Sequence, residues 1–172
     1  MRHFISYFND SVKKHWDLPA VTNFGKETYT YGQMAEGMEK YHILFEEAGI
    51  KKGDKIAIYA RNSAEWCIAY YATLTYNAVT VPFLPDFLPA AVAELGSFSE
   101  CKMLIIDDVA FNAMNATPEL YEQLEKTKGF AGVLNIKDMS VLRDTAGTLA
   151  KVHENMNDML SARHPNGLTP DS

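Results

Sequence analysis

Glycine-rich loops are what this chain most plainly lacks. No predicted strand end carries a Gly-x-Gly-x-x-Gly turn or a Walker-type glycine loop with lysine. Without a string of free backbone N–H groups there is no dedicated grip for a nucleotide phosphate. A basic surplus is missing too: 16 Lys and Arg face 22 Asp and Glu, a formal net charge of −6. That balance lacks the footprint of a nucleic-acid binder and disfavours an anionic membrane face. Long apolar runs are absent, the longest lying around Trp66 to Leu74, far short of a membrane span. The first ten residues, Met1 to Asp10, hold no signal-peptide core, so a cytoplasmic protein is expected.

Cysteine is scarce. Cys67 and Cys101 read as reduced thiols in the core, with a disulfide between them as the alternative. Neither is a persuasive nucleophile, because apolar surroundings raise a thiol pKa. The histidines, His3, His15, His42, His153 and His164, include no pair at i, i+3 or i, i+4. No cysteine pair has ligand spacing either, so no metal site is expected.

What is present is an alternation of strand and helix patterns, centred on Thr28 to Asp108. Lys55-Ile-Ala-Ile-Tyr-Ala-Arg-Asn62, Ala78-Val-Thr-Val-Pro82 and Lys102-Met-Leu-Ile-Ile-Asp107 read as strands. Helices fill the gaps: one with Met34, Met38, Tyr41, Phe45 and Ala48 on a single face, one from Ser63 to Tyr76, and one starting near Pro89, where a missing N–H costs nothing. Such alternation predicts an α/β fold, a mostly parallel sheet of βαβ units with flanking helices. Thr30 and Gln33 fit a capping box, and Gly49 stands where a left-handed C-terminal cap is wanted. Either Asn62 or Ser63 caps the next helix, which is apolar nearly all round and therefore expected to be largely buried.

Outside that block, Ile5, Phe8, Val12 and Trp16 mark one face of a helix over residues 1–17, closed by Pro19. Ala20–Phe24 and Glu27–Tyr31, joined at Gly25-Lys26, predict an N-terminal hairpin. A capped helix is expected from Thr117 to Lys128, a strand at Gly132–Ile136, and helical spacing from Leu149 to Leu160. With 172 residues, one domain is expected over 1–163, followed by a polar linker or tail at 164–172.

Candidate chemistry belongs at the carboxyl ends of the strands. There Arg61, beside a helix N-terminus, is a candidate anion contact, the alternative being an ion pair with a neighbouring acid. Asp107-Asp108 is either a metal-binding carboxylate pair or a solvated strand end. Ser63 at a strand-to-helix turn lacks the Gly-x-Ser-x-Gly elbow of a nucleophile and is better read as a cap.

Four segments occur in order: Tyr29-Thr-Tyr-Gly-Gln-Met34, Ala48-Gly-Ile-Lys-Lys-Gly-Asp-Lys-Ile-Ala-Ile58, Arg61-Asn-Ser-Ala-Glu-Trp66 and Ala78-Val-Thr-Val-Pro82. Together they resemble the N-terminal part of the adenylate-forming superfamily, the AMP-forming acyl-CoA synthetases and their relatives. The similarity is good from Ala20 to Asp108 and weaker on to Ile136. Asn77 departs from the pattern, since a glycine is usual there, which questions the tightness of that turn. The resemblance implies a partial lobe of the large adenylate-forming domain, from a parent that uses ATP, Mg²⁺ and CoA to activate a carboxylic acid, with a fatty acid preferred. It implies no cofactor bound by this chain, whose sequence lacks the family's phosphate loop and catalytic lysine, and no catalytic residue. By the same analogy Pro82, Phe83, Pro85 and Asp86 lie near the CoA or acyl channel. The implied partners are the remainder of the parent enzyme and, through exposed apolar surface, a second copy of the chain. A free-standing, non-catalytic α/β binding module is the alternative.

Overall fold

Helix α2 shows how closely local chemistry is obeyed. The computed structural model describes residues 3–172, in which α1 spans Phe4–Lys14, β1 Pro19–Thr22, β2 Thr28–Thr30 and α2 Tyr31–Glu47. Thr30 Oγ1 accepts from Gln33 N at 3.1 Å, and Gln33 Oε1 accepts from Thr30 N at 2.9 Å, the reciprocal capping box. At the far end Gly49 takes φ +77°, a conformation that a side chain would strain. Ile50 N then donates to Phe45 O and Gly49 N to Glu46 O, satisfying carbonyls the helix leaves free. Before α2, β1 and β2 form the predicted antiparallel hairpin, closed by Asn23 N on Glu27 O at 3.0 Å.

The main sheet is built from β3 (Lys55–Tyr59), β4 (Val79–Phe83), β5 (Met103–Ile106), β6 (Gly132–Asn135) and β7 (Val141–Asp144), in the order β4-β3-β5-β6-β7. Four strands run parallel, and β7 joins antiparallel at one edge. The connecting helices are α3 (Ala64–Thr75), α4 (Pro89–Phe98), α5 (Asp108–Asn115) and α6 (Glu119–Glu125), with α7 (Leu149–Glu154) and α8 (Met156–Arg163) following β7. Strand pleating divides the core in two. Ile56, Ile58, Met103, Ile105 and Leu134 pack with α2, α3, α7 and α8. Ala57, Tyr59, Leu104, Ile106 and Val133 pack with α4, α5 and α6. Central strands buried on both faces explain why their sequences read as continuous apolar runs.

Two details settle points the sequence raised. Asn77 adopts φ +65°, the left-handed region in which asparagine is the best tolerated side chain after glycine, and its carbonyl accepts from Gly53 N at 2.9 Å. The turn is as tight as a glycine would make it. Pro82 sits on the edge strand β4, where Val79 N reaches inward to Asp54 O at 2.8 Å. Alternation then turns position 82 outward, so the imino acid removes no ladder bond.

Several expectations need correction. Helix α1 is shorter than the expected 1–17, and Met1 and Arg2 lie outside the described residues. Helix α6 is limited to Glu119–Glu125 and carries no side-chain cap. The helical spacing from Leu149 to Leu160 is divided by Asn155 between α7 and α8. Neither α5 nor β7 was expected. Cys67 and Cys101 are both free thiols, and burial pushes the Cys101 pKa up to about 11, away from reactivity. Among the described residues no helix is long and apolar enough to cross a membrane.

Candidate functional site

The chain leaves β3 through α3 to β4 on one side, then returns through α4 to β5 on the other. The carboxyl ends of β3 and β5 therefore form a topological switch point, the place where open α/β sheets hold ligands. A crevice of about 460 Å³ lies there, lined by Asn23, Arg61, Glu65, Asp107, Asp108 and Lys137 among others.

Its floor is a clasp. Arg61 donates twice to Asp107 Oδ2, from the backbone N at 3.0 Å and from Nε at 2.9 Å. Its Nη2 donates to Asp108 Oδ1 at 2.8 Å. The other oxygen of Asp107 accepts from Ala110 N at 2.8 Å, which caps α5. Burial alone would raise the Asp107 pKa, but the Arg61 and Ala110 donors outweigh it and hold the carboxyl below its ordinary value. Asp107 is thus not a solvated strand end. It ties the β3 terminus to the start of α5. The Arg61 guanidinium, the sequence's candidate anion contact, is engaged by these two carboxylates while more than half of its side chain faces solvent.

Beside the clasp Ser63, not Asn62, caps α3, accepting from Trp66 N at 3.0 Å. Glu65 is thereby free to turn inward. The residue is only 7% exposed, and its carboxylate accepts from Asn23 Nδ2 at 2.8 Å and from Tyr29 OH at 3.1 Å. Asn23 Oδ1 meanwhile accepts from Ala64 N at 2.8 Å, so one hairpin residue holds both the helix end and the acid. Burial first, then the Glu65 charge, pushes the Tyr29 pKa up to about 12 and keeps it a donor.

The segment Pro82, Phe83, Pro85, Asp86 lies at the carboxyl end of β4 and lines no part of this crevice. Phe83 is buried in the α4 side of the core, while Pro82, Pro85 and Asp86 are exposed. Tyr59 OH pins the loop beyond them by donating to Phe87 O at 2.6 Å. The structure therefore brings together Arg61, Asp107 and Asp108 and leaves the Pro82–Asp86 segment apart. Sequence reasoning missed Asn23, Tyr29 and Glu65 as a group. The one available signal was an acid in an otherwise apolar helix.

The profile described as AMP-binding enzyme matches residues 8–167. The long-chain-fatty-acid–CoA ligase heimdall of Drosophila melanogaster is 28% identical over 59% of this chain and 16% of its own length. Acetyl-coenzyme A synthetase of Photobacterium profundum is 28% identical over 77% of this chain and 21% of its own. The coronafacic acid ligase of Pectobacterium brasiliense shares the fold with a TM-score of 0.64 at 23% identity, over 76% of this chain and 25% of that one. The chain thus spans about a fifth of the length of its curated relatives. A match running from residue 8 to residue 167 places this chain in the AMP-binding enzyme family.

Proposed function

We propose that this chain is a bracing lobe of an AMP-forming acyl-CoA ligase that activates a fatty acid, and that it is inactive without further chain. The parent joins the acid to ATP with Mg²⁺ and passes the acyl group to CoA. One observation carries the reading: the backbone donors that open on the switch-point crevice are already taken by the chain's own polar groups. The helix N-termini that open on it are capped by Ser63 and Asp107, and Asn23 takes the Ala64 N–H. Glu65, Asp107 and Asp108 also line it, a poor setting for a triphosphate. The residues present do not fit ATP, so no chemical step is assigned to them. The fatty-acid preference rests on relatives of that printed activity.

Residues 1–163 form the lobe and 164–172 its tail, on this reading. The rest of the parent, or a second copy, packs on the apolar residues that α4 and its preceding loop leave in water: Leu84, Leu88, Leu95 and Phe98. Pro82–Asp86 then borders the CoA or acyl channel, and Arg61 meets an anion only by exchanging a carboxylate for it.

The test is pyrophosphate release by the purified chain with ATP, Mg²⁺, CoA and palmitate. No turnover is expected. Turnover would remove the bracing-lobe reading. Light scattering on Leu88→Ser with Phe98→Ser, set against the unaltered chain, reads the apolar surface, and less self-association is expected. A free-standing binding module is the second reading, favoured by a core filled on both faces of the sheet. A sharp monomer peak with no self-association would support it.

A further inference from the structure

A second hollow, of about 280 Å³, lies on the α2 side of Glu65, lined by Tyr29, Tyr41, Glu65, Asp138, Ile68 and Met139 among others. It is small beside the roughly 300–1,000 Å³ typical of sites for drug-sized ligands. Two features of it remain unexplained by packing.

The first is Glu65. Its partners Asn23 and Tyr29 are both neutral, and among the described residues no cationic side chain is paired with it. A carboxylate offers about four acceptor positions, of which two are used here. The second is Tyr41. This residue is 1% exposed, and its hydroxyl makes no hydrogen bond within the described chain. Burial, then the charges of Asp138 and Glu65, raise its pKa, so the phenol stays protonated near two anions.

Asp138, exposed at the mouth of the hollow, adds the second anion. Its Oδ1 accepts from Ser140 N at 2.9 Å, and donors from Ser140 outweigh burial to keep the carboxyl ionised. Two lysines share the lining, and His153 stands beside Asp138. Lys40 is paired with Glu36 at 3.3 Å, and Lys137 is exposed at the rim. Opposite the acids, Gly37, Ile68 and Met139 supply an apolar wall.

We propose that this hollow binds a small alkylammonium ion, its N–H groups donating to Glu65, Asp138 and the Tyr41 hydroxyl oxygen and its alkyl part resting on Ile68 and Met139. The site is separate from the Arg61–Asp107 clasp and from any adenylation chemistry. The tyrosine rings beside the charge add a cation–π attraction.

The experiment is an NMR titration of the isotopically labelled chain with propylammonium chloride, against sodium chloride and sodium propionate at equal ionic strength. Saturable shifts confined to Gly37, Tyr41, Glu65, Asp138 and Met139 are expected with propylammonium only. Glu65→Gln removes the charge at nearly constant shape and is expected to weaken binding about tenfold, the loss of one charged hydrogen bond. Tyr41→Phe is expected to weaken it by a smaller factor while retaining the fold, and it decides the matter should Glu65→Gln melt the hairpin contact. A linear response shared with sodium chloride would mean that the hollow holds only water, and overturns the proposal. So would propylammonium binding unchanged in both variants.

Discussion

The two faces of the sheet are covered to different depths. On one, α2 and α3 lie over Ile56, Ile58, Met103 and Ile105, and α1 and α8 lie in turn against α2. Phe8 of α1 stacks on Tyr71 at 4.0 Å, and Arg163 of α8 reaches Glu46, so the outer layer is held by both apolar and charged contacts. On the other, α4, α5 and α6 form a single layer. Leu88 and Phe98 stand in water there, 73% and 84% exposed. The same alternating strands feed both faces, so the difference was decided by what the flanking helices carry on their far sides. A helix whose outer side is as apolar as its inner side lacks a partner within the chain.

The largest test of that contrast compares neighbours on opposite faces. Ile105 and Ile106 are both fully buried. Ile105→Ala and Ile106→Ala are each expected to cost about 2–5 kcal/mol in urea unfolding, more at Ile105, where two layers resist collapse around the cavity. An equal or larger loss at Ile106 would break the contrast.

Next comes Gly132→Ala. An added Cβ would meet the Arg143 carbonyl oxygen at 2.2 Å and Leu149 at 3.0 Å, backbone and α7 together. A loss of about 1–3 kcal/mol is expected, read as a lowered melting temperature.

The clasp is expected to contribute less. Asp107→Asn keeps a capping oxygen but loses the charge that meets Arg61, at about 1 kcal/mol. Because the folded pKa lies below the unfolded value, the wild-type advantage is full above about pH 3.9 and vanishes as pH falls through the folded value. Chemical denaturation of both proteins from neutral to acid pH checks this, and a difference growing towards acid would have the wrong sign.

The smallest expected effect is at Asn77. Asn77→Gly removes a side chain from a left-handed turn, relieving strain but loosening the unfolded chain, and a shift under about 0.5 kcal/mol is expected in thermal melts.

Elements that carry their own local signals were legible in the sequence. Thr30 with Gln33, Gly49 with Ile50, Pro89 at a helix start, and the runs Ile56–Tyr59 and Met103–Ile106 all appear where their patterns placed them. Helix α5 was not read because its eight residues offer little periodicity, and its best signal, the cap at Asp107, also reads as a strand end. Strand β7 was not read because Val141–Asp144 is half-buried throughout and exists by pairing with β6. Of the candidate site, the strand ends and Arg61 were legible. The roles of Asp107 and Glu65 were not, because their partners lie 46 residues away at Arg61 and 42 and 36 away at Asn23 and Tyr29.

By itself the sequence determined where α2, α3 and α4 begin and that β3 and β5 become strands, since caps, turns and hydrophobic runs act over a few neighbours. The family resemblance is equally local, residing in short ordered segments. Only the tertiary structure decided that Arg61 would clasp Asp107 and Asp108, that Glu65 would turn inward once Ser63 took the cap, and that one side of the sheet would be left with bare apolar residues. Those outcomes depend on which groups meet across the sheet, and hydrogen bonds and burial between distant residues leave no trace in the spacing along the chain.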